Sequence, residues 1–302
     1  MRILQEDDLN AIPTRVFLDA VRAQIDADAR GEAISPPRHR VDFDPGALVF
    51  TCGGNKDLAG FRVYDTFPKR KNAVEEQLVV VFDRTTAKIK GIAIGERLGA
   101  IRTGCLGGVA IDRLVPEERI EKLALIGTGT QAQTQLEAIL SLREVGKVSV
   151  FSRSMERRGN FATDMAKKLS ANITPTSSAE RAVRDADVVI LATNSSEPVI
   201  DTEWIKHGAH VTTLGPKFVD RHELPLDIVA RTRLIVSDSP QQIAGQGNKH
   251  MFHDQNLPVQ HLGAQTFNSA AGDLTLFLSA GLAGTEVTAL SAAIDYLDQQ
   301  SG

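Results

Sequence analysis

The sequence predicts an α/β protein: a Rossmann-type, doubly wound parallel sheet joined to an N-terminal α+β domain. Three observations carry this. An apolar strand, Leu123-Ala-Leu-Ile126, runs straight into Gly127-x-Gly129-x-x-Ala132. Beyond it, short apolar segments alternate with amphipathic ones, the pattern of strands covered on both faces by crossover helices. Before it, apolar segments follow one another with only turns between them, as in a sheet built from hairpins.

Taken in order, a helix is expected over Thr14–Ala29, then strands at Ala47–Thr51, Gly60–Tyr64, Gln77–Phe82 and Ile89–Ile94. These strands form an antiparallel-rich sheet that a helix-poor domain cannot cover alone. A helix from about Arg102 to Leu114 leads to Pro116-Glu-Glu118, a polar joint. The second domain then reads as strand Leu123–Ile126, helix Gln133–Leu142, strand Val148–Phe151, helices Met155–Leu169 and Ser178–Arg184, and strands Asp187–Thr193, His210–Leu214 and Leu234–Ser237. The segment Thr275–Leu297 ends in an amphipathic helix that folds back on the first domain. The expected domains are 1–115 with 283–302, for substrate binding and dimerisation, and 116–282, for a dinucleotide.

Composition narrows the class. The 302 residues are 42% apolar and 24% charged, as in ordinary globular proteins. A net charge of -4 argues against a nucleic-acid partner, and Lys69-Arg70-Lys71 reads as a solvated loop. The two cysteines, Cys52 and Cys105, imply neither a disulfide framework nor a thiolate metal site. His39, His207, His210 and His222 lack metal-ligand spacing, so no metal is expected. The start, Met1-Arg-Ile-Leu-Gln-Glu-Asp-Asp8, is acidic where a signal peptide is basic, and runs such as Leu78–Phe82 are too short to span a membrane. A soluble cytoplasmic protein without membrane contact is expected.

The glycine turn points to a nicotinamide dinucleotide. Gly127 permits the tight strand-to-helix turn, Gly129 lets backbone N–H groups approach a pyrophosphate, and Ala132 lets the next helix sit close on the sheet. The helix N-terminus supplies a positive field for the phosphates. An NAD-selective turn places an acidic residue on the ribose hydroxyls about 20 residues on. Here Ser152 and Arg153 stand at that position, with Arg157 and Arg158 following. Without a carboxylate to repel it, a 2′-phosphate can bind Ser152 and the Arg153 guanidinium, so NADP is favoured and NAD remains compatible.

Several segments together resemble the ornithine cyclodeaminase/μ-crystallin family. They are Pro36-Pro-Arg38, Gly60-Phe-Arg-Val63, Ile101-Arg-Thr-Gly104, Gly107-Gly-Val-Ala110, the glycine turn, Ala186–Thr193, Gly208-Ala-His-Val211, Leu214-Gly215 with Glu223-Leu224, and Phe277-Leu-Ser-Ala-Gly281. The resemblance implies a homodimer formed through the N-terminal domain and the returning helix, with the active site between domains. Carried over by position, it implies cofactor contacts at Gln77, Arg102, Thr103, Gly127, Gly129, Thr130, Gln131, Ser152, Arg153, Thr193, Val211, Thr212, Thr213, Leu214 and Ser279. Arg102 would pair with the pyrophosphate and Ser279 would reach the nicotinamide amide. Substrate contacts would be Arg38, Arg62, Lys217 and Ala280, with Lys217 and Arg62 as the catalytic pair.

Two of these depart from the cyclodeaminase pattern. Arg62 replaces a lysine that binds the substrate carboxylate, and Lys217 replaces the aspartate that handles the substrate amine. The first change keeps the charge and adds a bidentate fork. The second inverts a charge, so a distal ammonium is repelled and ornithine is disfavoured. Arg38, Arg62 and Lys217 together favour a substrate with two carboxylates. Lys217 would bind the second one, or donate a proton to an imine nitrogen from an ammonium whose pKa the arginines depress. The expected activity is an NAD(P)H-dependent imine (ketimine) reductase or amino-acid dehydrogenase, with iminosuccinate to L-aspartate as its sharpest version. Two alternatives are a cyclodeaminase acting on another diamino acid and a non-enzymatic binder of NADPH and a small acid, like μ-crystallin.

Overall fold

The computed structural model describes residues 1–68, 76–255, 258–267 and 272–301, so the triplet Lys69-Arg70-Lys71 lies outside the described residues. The chain divides into two units, Met1–Leu106 with Gly281–Gly302, and Gly107–Ala280.

The first unit contains β1 (Arg2–Leu4), α1 (Glu6–Asn10), α2 (Thr14–Ala29), β2 (His39–Asp42), β3 (Ala47–Gly54), β4 (Leu58–Asp65), β5 (Gln77–Asp83), β6 (Lys88–Ile94) and the start of α3 (Arg97–Leu114). Its sheet has the order β1-β6-β5-β4-β3-β2. All neighbours are antiparallel except β1, which joins β6 in parallel. The helix expected from Arg102 begins five residues earlier, so Arg102 lies inside it. Gly99 and Gly104 lower the helix propensity of this stretch, but burial of Leu98, Ala100 and Ile101 outweighs that cost.

The second unit holds β7 (Arg119–Ile126), α4 (Thr130–Leu140), β8 (Glu144–Phe151), α5 (Met155–Leu169), β9 (Ile173–Pro175), α6 (Ala179–Val183), β10 (Val188–Leu191) and β11 (His210–Thr213). A short hairpin, β12 (Lys217–Phe218) with β13 (Arg221–His222), precedes β14 (Thr232–Ser237), α7 (Pro240–Gly245), β15 (Val259–His261) and β16 (Leu274–Leu278). Eight strands form one sheet in the order β15-β14-β16-β11-β10-β7-β8-β9, every pair parallel. All four residues of β10 are buried, as expected for a strand covered on both faces. One core cluster contains Val189, Leu191, Val211 and Leu276, and another Leu123, Leu125, Val188 and Ile190. The winding reverses between β7 and β10, and in such sheets the crevice at the carboxyl ends of those strands is the binding position.

The chain then returns to the first unit as α8 (Thr285–Ser301), which packs on α2 and across β3 to β6. The contact is close: a Cβ on Gly60 would stand 2.9 Å from Val287, and one on Gly91 2.3 Å from Ile294. The expectation that this domain cannot cover its sheet therefore needs correction for one face. The opposite face carries the cross-strand rows Phe50, Val63, Leu78, Ile94 and Cys52, Phe61, Val80, Ile92. Ile94 is 42% exposed there.

Candidate active site

The glycine turn is built as its chemistry requires. Gly127 has φ +116°, and a Cβ there would stand 2.2 Å from the carbonyl oxygen of Ala192, so only glycine fits. A Cβ on Gly129 would meet nothing within 4 Å. Gly129 is the N-cap of α4 and no side chain caps it, which leaves the first N–H groups of the helix directed outward. The Oε1 of Gln131, one residue into α4, is buried without a hydrogen-bond partner. An open approach and an uncapped helix start fit the phosphates of a dinucleotide, and the Gln131 oxygen, an acceptor, fits one of its hydroxyl or amide donors. At the end of β8, the Ser152 hydroxyl bonds the Ser154 carbonyl at 3.2 Å and Arg153 is exposed. Arg158 is engaged: it donates to the Ser152 carbonyl at 2.9 Å and lies over the Phe151 ring.

The carboxyl ends of β10 and β11 are tied together by one buried carboxylate. Glu223 accepts the amide and hydroxyl of Thr193 at 2.8 and 2.7 Å, the hydroxyl of Thr213 at 2.8 Å, and the amides of Leu214 and Gly215 at 3.1 and 2.6 Å. Gly215 has no room for a side chain, since a Cβ would stand 2.5 Å from the Glu223 carboxyl carbon. Its carbonyl accepts the Lys217 ammonium at 2.9 Å. Lys217 is only 6% exposed, which excludes a solvated loop lysine. The Ala280 amide donates to the buried carboxylate of Asp238 at 2.7 Å, and Ser279 follows directly from β16.

In the first unit a second cluster forms around Glu286, on the first turn of α8. Its Oε1 accepts Arg102 through Nε at 2.8 Å and Nη2 at 2.7 Å, and Arg62 through Nη1 at 3.1 Å. Gln77 accepts the other edge of the Arg62 fork, Nε at 2.9 Å, and the guanidinium stacks on Tyr64. Gly99 and Gly281 make space for these groups: a Cβ on Gly99 would lie 3.2 Å from Arg62, and one on Gly281 2.6 Å from Arg38 and 3.0 Å from Arg102. Burial pushes the Glu286 carboxyl up, but Arg102 and then Arg62 pull it down further, to about 2. Burial lowers the pKa of Arg62, Glu286 opposes it, and Arg102 and Arg38 add to the lowering. Three guanidiniums thus surround one carboxylate and leave a surplus of positive charge.

The expected residues fall into two groups. Arg38, Arg62, Gln77 and Arg102 come together in the first unit, and Thr193, Thr213, Leu214 and Lys217 in the second. Several expected residues also have partners within the protein. Arg102, expected to pair with a pyrophosphate, already pairs with Glu286; Thr103 donates back to the Gly99 carbonyl within α3. Val211 and Thr212 are fully buried, Val211 in the core and Thr212 against His210. Glu223, Glu286 and Asp238 were not singled out as site residues by sequence reasoning. Glu286 carried a detectable signal, a lone acid within Leu282-Ala-Gly-Thr-Glu-Val-Thr-Ala-Leu290.

Known proteins agree with this architecture. A Δ1-pyrroline-2-carboxylate reductase of Bacillus cereus is 27% identical over 246 residues, covering 76% of this chain and 75% of that protein. The structure of the same kind of reductase from Thermococcus litoralis, in complex with NADH and L-proline, matches with a TM-score of 0.89 at 24% identity, over 100% of this chain and 98% of that one. The iminosuccinate reductase of Paracoccus denitrificans in complex with NAD+ matches with a TM-score of 0.88 at 23% identity, over 99% and 97% of the two chains. These structural matches show a shared Rossmann-type α/β fold. With the ornithine cyclodeaminase/mu-crystallin profile matching residues 10–300, the chain belongs to that family.

Proposed function

We propose that the chain is an imine reductase, preferring NADP and accepting NAD, that reduces a small dicarboxylic α-imino acid to an L-amino acid; iminosuccinate giving L-aspartate is the four-carbon case. The observation that carries this reading is the surplus of positive charge. Arg38, Arg62 and Arg102 surround Glu286, and a buried ammonium, Lys217, stands where a cyclodeaminase holds an aspartate. Membership of a family that includes reductases of C=N bonds supports the reaction type.

Each residue then has a chemical task. Arg62, its fork fixed by Gln77 and Glu286, binds the substrate α-carboxylate with Arg38. Gly127, Gly129, Thr130 and Gln131 hold the dinucleotide pyrophosphate, Ser152 and Arg153 its 2′-phosphate, and Ser279 its nicotinamide amide. When bound, the reduced nicotinamide supplies hydride to the imine carbon. Lys217, steadied by the Gly215 carbonyl, binds the second carboxylate or donates a proton to the imine nitrogen. The apolar rows on the open sheet face support assembly as a homodimer.

The test is cofactor oxidation with oxaloacetate plus ammonia against pyruvate plus ammonia. If Lys217 binds the second carboxylate, Lys217→Ala lowers kcat/KM for the first pair by roughly 10- to 150-fold, the value of one charge-assisted hydrogen bond, and spares the second pair. Lys217→Asp is worse still, because it adds repulsion. Equal losses on both pairs would assign Lys217 to proton transfer or to no direct role and remove the support for a dicarboxylate. Release of ammonia from a diamino acid without net cofactor oxidation would indicate a cyclodeaminase instead.

A further inference from the structure

His250 has no role so far, and its surroundings are unusual. It follows α7 and forms an isolated β-bridge with Phe218, next to the strand that carries Lys217. The amide of Met251 donates to the Lys217 carbonyl at 2.9 Å, which fixes this segment against β12. The ring is 6% exposed.

Geometry decides its tautomer. Nδ1 accepts the backbone N–H of Phe252 at 3.2 Å. A backbone amide only donates, so Nδ1 is unprotonated and the neutral ring carries its proton on Nε2. Burial first, then the charges of Lys217 and His253, hold the ring's pKa down to about 4, so it is neutral at pH 7. Its Nε2 is buried and has no hydrogen-bond partner. A buried donor left unmet is costly, and such groups mark places where a ligand or water completes the bonding.

The ring borders a cavity of about 220 Å³, whose wall also includes Ile235, Ile243, Phe252, His253 and Leu278. Leu278 is the last residue of β16 and is followed directly by Ser279 and Ala280, two residues assigned above to cofactor and substrate. Asn248 and Gln255 complete a wall of mixed character, so the cavity can take a polar group. A neutral donor close to an ammonium suits an acceptor-only anionic group, and a carboxylate is such a group.

We propose that His250 is a specificity-determining residue whose Nε2–H donates to the distal carboxylate of the substrate, alongside Lys217. This rests on the reading of the chain as a reductase of dicarboxylic imino acids. It adds a neutral, directional donor to a site otherwise recognised by charge, and so favours one length of dicarboxylate over others.

The test compares binding of L-aspartate and L-alanine by calorimetry to wild type, His250→Phe and His250→Gln. Phenylalanine keeps the ring without the donor, whereas glutamine restores an N–H. His250→Phe weakens L-aspartate by about 10- to 100-fold and leaves L-alanine within about twofold; His250→Gln recovers most of the loss. In wild type, the imidazole 15N–1H signal of His250 shifts with L-aspartate and not with L-alanine, a measurement that needs no variant. Equal weakening of both ligands, as a buried water or a purely structural ring would give, overturns the proposal. If wild type prefers L-aspartate and His250→Phe keeps that preference, His250 alone is refuted. If wild type binds L-alanine and not L-aspartate, the dicarboxylate reading falls and His250's role falls with it.

Discussion

Replacing Glu286 by glutamine preserves the shape of the side chain and removes its charge, leaving Arg62 and Arg102 buried against one another. Their side chains are 13% and 7% exposed, so water relieves little of that repulsion. The fall of the Glu286 carboxyl from an ordinary 4.5 to about 2 corresponds to about 3 kcal/mol of preference for the charged form. That agrees with the roughly 3–5 kcal/mol lost when one partner of a buried ion pair is removed. Because the folded pKa is depressed, this contribution is fully present above about pH 4.5 and is lost as pH falls towards 2. Urea unfolding of wild type and Glu286→Gln should therefore differ by about 3 kcal/mol at pH 7, and the gap should narrow from pH 4.5 downward. Adding Arg102→Met to the variant should recover part of the loss, since an apolar side chain needs no counter-charge. A gap under about 1 kcal/mol at pH 7, or one that stays constant down to pH 3, would refute the assignment of Glu286 as the counter-ion of the cluster.

Two further outcomes are expected. Arg153→Ala should weaken NADPH by about 10- to 100-fold and leave NADH nearly unchanged, measured by fluorescence titration; equal effects on the two cofactors would remove Arg153 from the 2′-phosphate site. Wild type should sediment as a dimer at micromolar concentration, and Phe61→Lys with Ile94→Lys, which places two charges on the open sheet face, should sediment as a monomer; a monomeric wild type would exclude that face as the interface.

Much of the fold was legible because its signals are local. Helices α2 and α5 begin and end where the apolar period predicts, and Ser154 caps α5 by accepting the Arg157 amide at 3.2 Å. The glycine turn was readable for the same reason. Most of what escaped was either very short or non-local, although β2 and β16, of four and five residues, escaped as well. β1, β9, β12 and β15 have two or three residues each, too few to show alternation. Glu286 meets Arg102 and Arg62 across 184 and 224 residues of sequence, and Glu223 meets Thr193 across 30. A glutamate destined for burial among guanidiniums has the same sequence appearance as one on a solvated helix. The early start of α3 was hidden by Gly99, whose missing side chain makes room for Arg62.

The division of the chain has a consequence for its synthesis. The second unit is one continuous stretch, Gly107–Ala280, whereas the first is assembled from two, Met1–Leu106 and Gly281–Gly302. The sheet and arginines of the first unit therefore emerge early, and the helix that covers one face of the sheet emerges only after the whole second unit. At roughly 5–20 residues per second, translation of the intervening segment takes about ten to thirty seconds. During that interval Arg62 and Arg102 lack Glu286, and both apolar faces of the nascent sheet are open. A chain cut short before α8 would carry an unfinished sheet whose apolar faces are both uncovered.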